Sequence, residues 1–84
     1  MYYVYAIKSM KKNFLYIGST ADLKRRFKEH NAGTERSTKI YIPFKLIYYE
    51  AYASKHSALI RENALKQHGG TIASLKRRLK DDLI

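Results

Sequence analysis

The stretch from Tyr16 to His30, YIGSTADLKRRFKEH, limits the possible folds more than any other in the chain. An aromatic and β-branched run reaches a glycine, passes through polar residues and becomes an amphipathic helical pattern. Gly18 is expected to turn the backbone sharply where a side chain would interfere. Ser19 is the expected helix N-cap, with Asp22 three residues on, where a capping box wants an acid. Leu23, Arg26, Phe27 and His30 then fall on one face of a helix, and Lys24, Arg25, Lys28 and Glu29 on its other sides. An arginine and a histidine thus share the face that Leu23 and Phe27 press onto a sheet. A purely structural helix would carry apolar residues there, and the mismatch marks a candidate site.

The rest of the chain supplies the sheet. Residues 2–7, YYVYAI, read as a strand with Tyr3, Tyr5 and Ile7 on one face. A polar turn, KSMKKN, leads to a second strand over 14–18. A four-residue loop would set Lys8 opposite Asn13, Ile7 opposite Phe14 and Tyr5 opposite Tyr16, standing the two tyrosines side by side. The helix of Ala21 to about Asn31 follows, with Gly33 just beyond its end. Residues 32–43 read as a loop and 44–52 as a third strand after Pro43. Ser54 is the expected cap of a helix from Lys55 to Gln67, stopped by Gly69 and Gly70. A last helix is expected over Thr71 to Asp82. The order ββα-loop-βαα describes a small α+β domain, a three-stranded β-sheet flanked by helices, over residues 1–84 as one domain.

Charge narrows the partners. Seventeen Lys and Arg against seven Asp and Glu give a net charge of +10 on 84 residues, which points to a polyanion, nucleic acid foremost. A solubility device or an acidic protein partner are the plainer readings of the same charge. No apolar run is long enough for a membrane span or a secretory signal. With no Cys there is no disulfide, thiol nucleophile or thiolate metal site, which fits a cytoplasmic protein.

Few residues offer chemistry. Glu62 falls between apolar positions on its helix, where a carboxylate is costly unless paired or coordinating a cation. It reads either as a metal ligand or as half of an ion pair, with Arg26 a candidate partner. Tyr5 and Tyr16 taken singly are ordinary strand residues. His30 alone is a capping or core histidine, and Arg26 alone a stem packed across the sheet with its head in water. The basic runs Lys24–Arg26 and Lys76–Arg78 are, by themselves, solvated helix faces.

Together these residues match a known pattern. Tyr5, in Tyr3-Val4-Tyr5, stands eleven residues before Tyr16 of an intact Tyr16-Ile17-Gly18; Arg26 follows ten residues later, then His30 one turn on, then Glu62 in ALIRENALK. The chain resembles the GIY-YIG nuclease family nearly end to end, most closely its stand-alone, single-domain bacterial members. Tyr3 replaces the glycine of the first triplet, which is a backbone position and not a reacting group. Nothing in this chain matches the asparagine that some members carry after the glutamate helix.

The resemblance implies metal-dependent hydrolysis of a phosphodiester in nucleic acid, DNA in preference to RNA. Tyr16 is then the general base. A phenol of reference pKa ~10 needs nearby cations for that task, which Arg26 and a metal on Glu62 would supply. Arg26 would also contact the scissile phosphate, Tyr5 would position water or phosphate, and His30 would assist by hydrogen bonding or proton transfer. A single carboxylate suits Mg²⁺, with Mn²⁺ as a substitute. Lys24, Arg25, Lys28, Arg36 and Lys39 are expected to track the nucleic-acid backbone. The alternative is a nucleic-acid-binding module of the same fold with a silent or very slow site.

Overall fold

Strand β1 (Tyr2–Ser9) lies at the centre of the molecule and pairs antiparallel with both other strands, β2 (Leu15–Thr20) and β3 (Phe44–Tyr52), in the order β2-β1-β3. The computed structural model describes residues 1–67 and 69–83. Helix α1 (Leu23–Ala32) follows β2, and α2 (Lys55–Gln67) and α3 (Gly69–Arg78) follow β3. The expected order of strands and helices is the observed one. Two short 3₁₀ turns, Lys39–Tyr41 and Lys80–Asp82, complete the chain.

Alternation along β1 sorts the core into two halves. Val4 and Ala6 face α2 and α3, where they pack with Ile17, Ala58, Leu65, Leu75 and Leu79. Tyr5 and Ile7 face the other way and meet Phe44, with Tyr16, Leu23 and Phe27 packed around them. The ladder to β3 shifts between Ala6 and Ile7, where Ala6 pairs Tyr48 and Ile7 pairs Leu46. This bulge leaves Ile47 beside Tyr48 on the α2–α3 side.

The hairpin register differs from the expected one. Ile7 pairs with Tyr16, Tyr5 with Gly18 and Lys8 with Leu15. The turn is longer because Ser9 organises it. Its buried hydroxyl accepts from the backbone N–H of Lys11 at 3.1 Å and Lys12 at 3.0 Å, and donates to the Tyr41 carbonyl at 2.6 Å. The ladder is therefore displaced by two residues. A two-residue displacement preserves the side-chain faces, so Tyr5 and Tyr16 still share one face, ring centroids 6.3 Å apart.

The start of α1 also differs. Gly18 does not turn; β2 runs on to Thr20, and Ser19 pairs with Val4 within the sheet. The N-cap is Asp22, whose carboxylate accepts from Arg25 N–H at 3.0 Å. Thr20 prepares the turn, its hydroxyl accepting from Asp22 N–H at 3.1 Å. An Asp one residue before a helical pattern competes with a Ser four residues before it, and the nearer side chain caps. Gly33 closes α1 in the left-handed conformation at φ 79°, and Ser54 caps α2 by accepting from Ser57 N–H at 3.1 Å. Gly69 and Gly70 lie inside the first turn of α3, and the junction between α2 and α3 falls at position 68, outside the described residues. Helix α3 ends at Arg78, short of Asp82.

Candidate active site

The site begins with a glycine that is needed for space. Gly18 sits directly opposite Tyr5 on the sheet. A Cβ placed on it would lie 2.5 Å from the Tyr5 hydroxyl oxygen, 2.7 Å from Tyr5 Cζ and 2.9 Å from Tyr16 Cε2. The missing side chain lets the Tyr5 ring lie flat over β2 and brings its hydroxyl under α1.

There the hydroxyl meets His30, which α1 turns inward with Leu23 and Phe27. Tyr5 Oη lies 2.7 Å from His30 Nε2, and His30 Nδ1 lies 3.2 Å from the Thr38 hydroxyl. Thr38 in turn donates to the Glu35 carbonyl at 3.4 Å. Only one assignment gives every buried proton an acceptor: Tyr5 O–H donates to Nε2, and Nδ1–H donates to Thr38. Tyr5 is 1% exposed, His30 0% and Thr38 1%. Burial, then the neighbouring Tyr16, push the Tyr5 phenol up to about 12 against the pull of Arg26. Burial, then the positive charge of Arg26, hold His30 below its usual value despite Glu35 and Glu29. The chain Tyr5–His30–Thr38 is thus neutral and fully bonded at neutral pH.

Arg26 and Tyr16 form the outer layer. Arg26 donates to Glu35 at 2.7 Å and to Glu29 at 3.2 Å, with its side chain 27% exposed. The Glu35 bond, opposed by desolvation and aided by Glu29, raises the guanidinium pKa. Its neighbour Arg25 is 70% exposed and makes only a 3.8 Å contact to Glu29. The expected division of the helix into an inward Arg26 and an outward Arg25 is observed. Tyr16 is half-buried, its ring 4.9 Å from that of His30.

Glu62 approaches the edge of β2 from the other side of the sheet. It comes from α2, and one carboxylate oxygen accepts from Ser19 Oγ at 2.6 Å at the edge strand. The other is 2.7 Å from Lys66 Nζ, one turn along α2. Burial would raise its pKa, but the Lys66 and Ser19 hydrogen bonds and the Lys66 charge outweigh it and hold it below the usual carboxylate range. Lys66 Nζ also stands 5.6 Å from the centre of the Tyr16 ring. Arg26 is therefore not the partner of Glu62. The structure brings Tyr5, Tyr16, Arg26 and His30 together on the α1 face, with Glu62 across the edge of β2.

Among the described residues no group of three or more His, Cys, Asp or Glu side chains could cage a metal. A lone, ionised carboxylate with a hydroxyl beside it suits a hard cation that keeps most of its own water, such as Mg²⁺ or Mn²⁺. Lys66 supplies the positive charge at that carboxylate here. Lys24, Arg25, Lys28, Arg36 and Lys39 all lie exposed on α1 and the loop after it.

Several residues of the site were not read from the sequence. The Glu62–Lys66 pair was available as an i, i+4 acid–base spacing. Glu29 likewise stands one turn from Arg25 and Arg26 on α1, whereas Ser19, Thr38 and Glu35 left no such signal, because their partners come from other elements or from the irregular loop. Asn31 belongs with them: its amide donates to the Phe44 carbonyl at 3.1 Å and accepts from Phe44 N–H at 2.6 Å, fixing the base of that loop.

The α+β architecture and the paired tyrosines under an Arg- and His-bearing helix define a nuclease-type domain. The model of the GIY-YIG catalytic domain matches residues 1–77, and the chain belongs to the GIY-YIG family. UPF0213 proteins of Streptococcus pyogenes serotype M3, strains MGAS315 and SSI-1, and of serotype M1 are each 39% identical to it over 66 residues, covering 77% of this chain and 71% of the relative. No solved structure matches the chain. Among the described residues no helix is long and apolar enough to cross a membrane.

Proposed function

We propose that the protein is a metal-dependent endonuclease that hydrolyses phosphodiester bonds, with DNA favoured over RNA as substrate, in the cytoplasm. The observation that carries this reading is the convergence on the Tyr5 hydroxyl. His30 of α1 lies 2.7 Å from it, the Tyr16 ring of β2 stands 6.3 Å from the Tyr5 ring of β1, and the Tyr16 and His30 rings are 4.9 Å apart. A purely structural tyrosine needs no such company.

In this reading Tyr16, the half-buried and more accessible member of the tyrosine pair, takes the proton from the attacking water. Arg26 turns part of its guanidinium from Glu35 and Glu29 to the phosphate, whose charge grows in the transition state. Tyr5 and His30 do not reach solvent; they are positioning residues that fix Tyr16 and Arg26 from behind. Glu62 would hold Mg²⁺ or Mn²⁺ in exchange for Lys66. A bound metal would supply charge neutralisation at the phosphate and help the leaving oxygen depart. The exposed basic residues of α1 and its loop would hold the nucleic-acid backbone without reading sequence.

A second reading is favoured by one observation: Arg26 and Glu62 both have internal ion-pair partners. A nucleic-acid-binding module with a silent site would show the same. Cleavage of duplex, single-stranded and branched DNA and of RNA, with Mg²⁺ or Mn²⁺ and with EDTA, separates the two. Metal-dependent products that EDTA abolishes support the nuclease; binding without cleavage in any arm supports the module.

A further inference from the structure

β2 is an edge strand, and its outer side does not face bare solvent. Beyond it the ends of α2 and α3 and the hairpin turn enclose an open cleft of about 710 Å³. Lys8, Lys66 and Lys76 stand around it, and Leu15, Ile72 and Leu83 form its apolar floor. Tyr16 lies at one wall, so the cleft opens directly onto the candidate site. No Asp or Glu lines it among the described residues, and of the three lysines Lys66 is paired with Glu62 at 2.7 Å, which leaves Lys8 and Lys76 to meet a ligand. Lys8 is held at the rim by donating to the carbonyls of Ser9 at 3.1 Å and Lys12 at 3.0 Å, which leaves one N–H for a ligand. None of the five cations expected to touch nucleic acid lies in this cleft.

We infer that the cleft between β2 and α3 holds a single strand of nucleic acid leading into or out of the site at Tyr16. The charge pattern calls for a polyanion. The apolar floor between the lysines separates single strand from duplex. A duplex keeps its base faces stacked inside and offers phosphates alone, for which Leu15, Ile72 and Leu83 have no use. An unpaired strand offers phosphates to the lysines and exposed base faces whose apolar area the floor can bury. The direction in which the strand leads rests on the nuclease reading; its binding does not.

The test uses the full chain, a fluorescently labelled single-stranded oligonucleotide and a duplex of the same length. Anisotropy titrations at several salt concentrations give affinity and slope. Each phosphate contact on a single strand contributes a slope of about 0.7, so the Lys8→Gln, Lys76→Gln double variant should lose about 1.4 in slope and bind roughly 25-fold more weakly at 0.1 M salt. Duplex affinity should change by less than about threefold by the same reasoning. Arg77→Gln is the matched control, adjacent to Lys76 and outside the cleft, and should leave single-strand affinity within about twofold of the parent by that estimate. Thermal melting of each variant excludes misfolding, and Lys76→Gln alone serves if the change at Lys8 disturbs the hairpin. Equal losses on single strand and duplex, equal losses for Arg77→Gln, or unchanged single-strand binding in the double variant would each overturn the inference. A parent that cleaves while the double variant binds normally removes the cleft and spares the nuclease. A parent that binds through the cleft and never cleaves does the reverse.

Discussion

Gly18→Ala tests the packing on which the site depends. Non-bonded heavy atoms rest at about 3.5–4.0 Å, and the added Cβ would stand 2.5 Å from Tyr5 Oη and 2.7 Å from Tyr5 Cζ. About 1 Å of relief is needed from a ring that is 1% exposed and bonded to His30 at 2.7 Å. Overpacking of this kind costs about 1–3 kcal/mol. If the ring retreats, the buried Nε2 loses its donor, which adds about 1–3 kcal/mol. Alanine's less flexible unfolded chain returns about 0.4–1 kcal/mol. The net loss is about 3 kcal/mol, and for a domain of this size Tm should fall by about 12–24 °C. Circular dichroism melts and urea titrations measure it. Tyr5→Phe in the Gly18→Ala background removes the nearest clashing atom, so the double variant should be more stable than additivity predicts by about 1 kcal/mol. A Tm within about 4 °C of the parent, or strict additivity in the cycle, would show that the close approach at Gly18 does not constrain the fold.

Other expected outcomes follow from the same geometry. Arg26→Ala should reduce cleavage about a hundredfold, on the order of 3 kcal/mol, while Arg25→Ala should mainly weaken binding and recover at lower salt; equal losses in parallel with binding would favour the module. Glu62→Gln should remove the metal response, read as a shift in melting temperature with added Mn²⁺ that the parent shows and the variant lacks. Tyr16→Phe should bind nucleic acid normally and not cleave it. The pH dependence of stability should have two limbs. His30 is held below 6.5 in the fold, so the unfolded chain takes up its proton first and stability falls as pH drops below about 6.5, levelling below the folded value. Tyr5 is raised to about 12 from 10.0, so stability present below pH 10 is lost between 10 and 12, on the order of 2–3 kcal/mol. Urea midpoints across pH 5–8 and 9–12 check both limbs, with Tyr5→Phe expected to flatten the alkaline one.

The element order was legible because hydrophobic period changes from two to 3.6 at clear places, after Thr20 and after Tyr52. The inward face of α1 was legible for the same reason: Leu23, Arg26, Phe27 and His30 are fixed relative to one another by helix geometry alone. Register was not legible, because the turn length depends on a single buried serine whose partner, the Tyr41 carbonyl, is 32 residues away. The faces survived that error only because it was even. Gly18 looks like a turn residue in the sequence, since a glycine wanted for backbone freedom and one wanted for space are alike there; its neighbour across the strand decides. Of the two partners of Arg26, Glu29 stood one turn away on α1, while Glu35 was hidden because it belongs to a loop whose course no periodicity describes. The partner of Glu62 was in view one turn away.

The place of β1 at the centre of the sheet has a consequence for how the protein is made. This strand leaves the ribosome ahead of both its partners. Its ladder to β3 joins Tyr2 to Tyr52 and Ser9 to Phe44, and Val4 and Ala6 share their core with Leu75 and Leu79. At about 5–20 residues per second, roughly 4–14 s pass between the synthesis of Ser9 and that of Leu79. Until α1, β3 and α2 follow within that interval, the nascent hairpin has one free ladder and two uncovered faces, the condition in which chains seek chaperones or each other. The earliest strand to emerge is the last to be completed, and a chain halted before Leu79 would leave the α2–α3 side of the sheet unsealed.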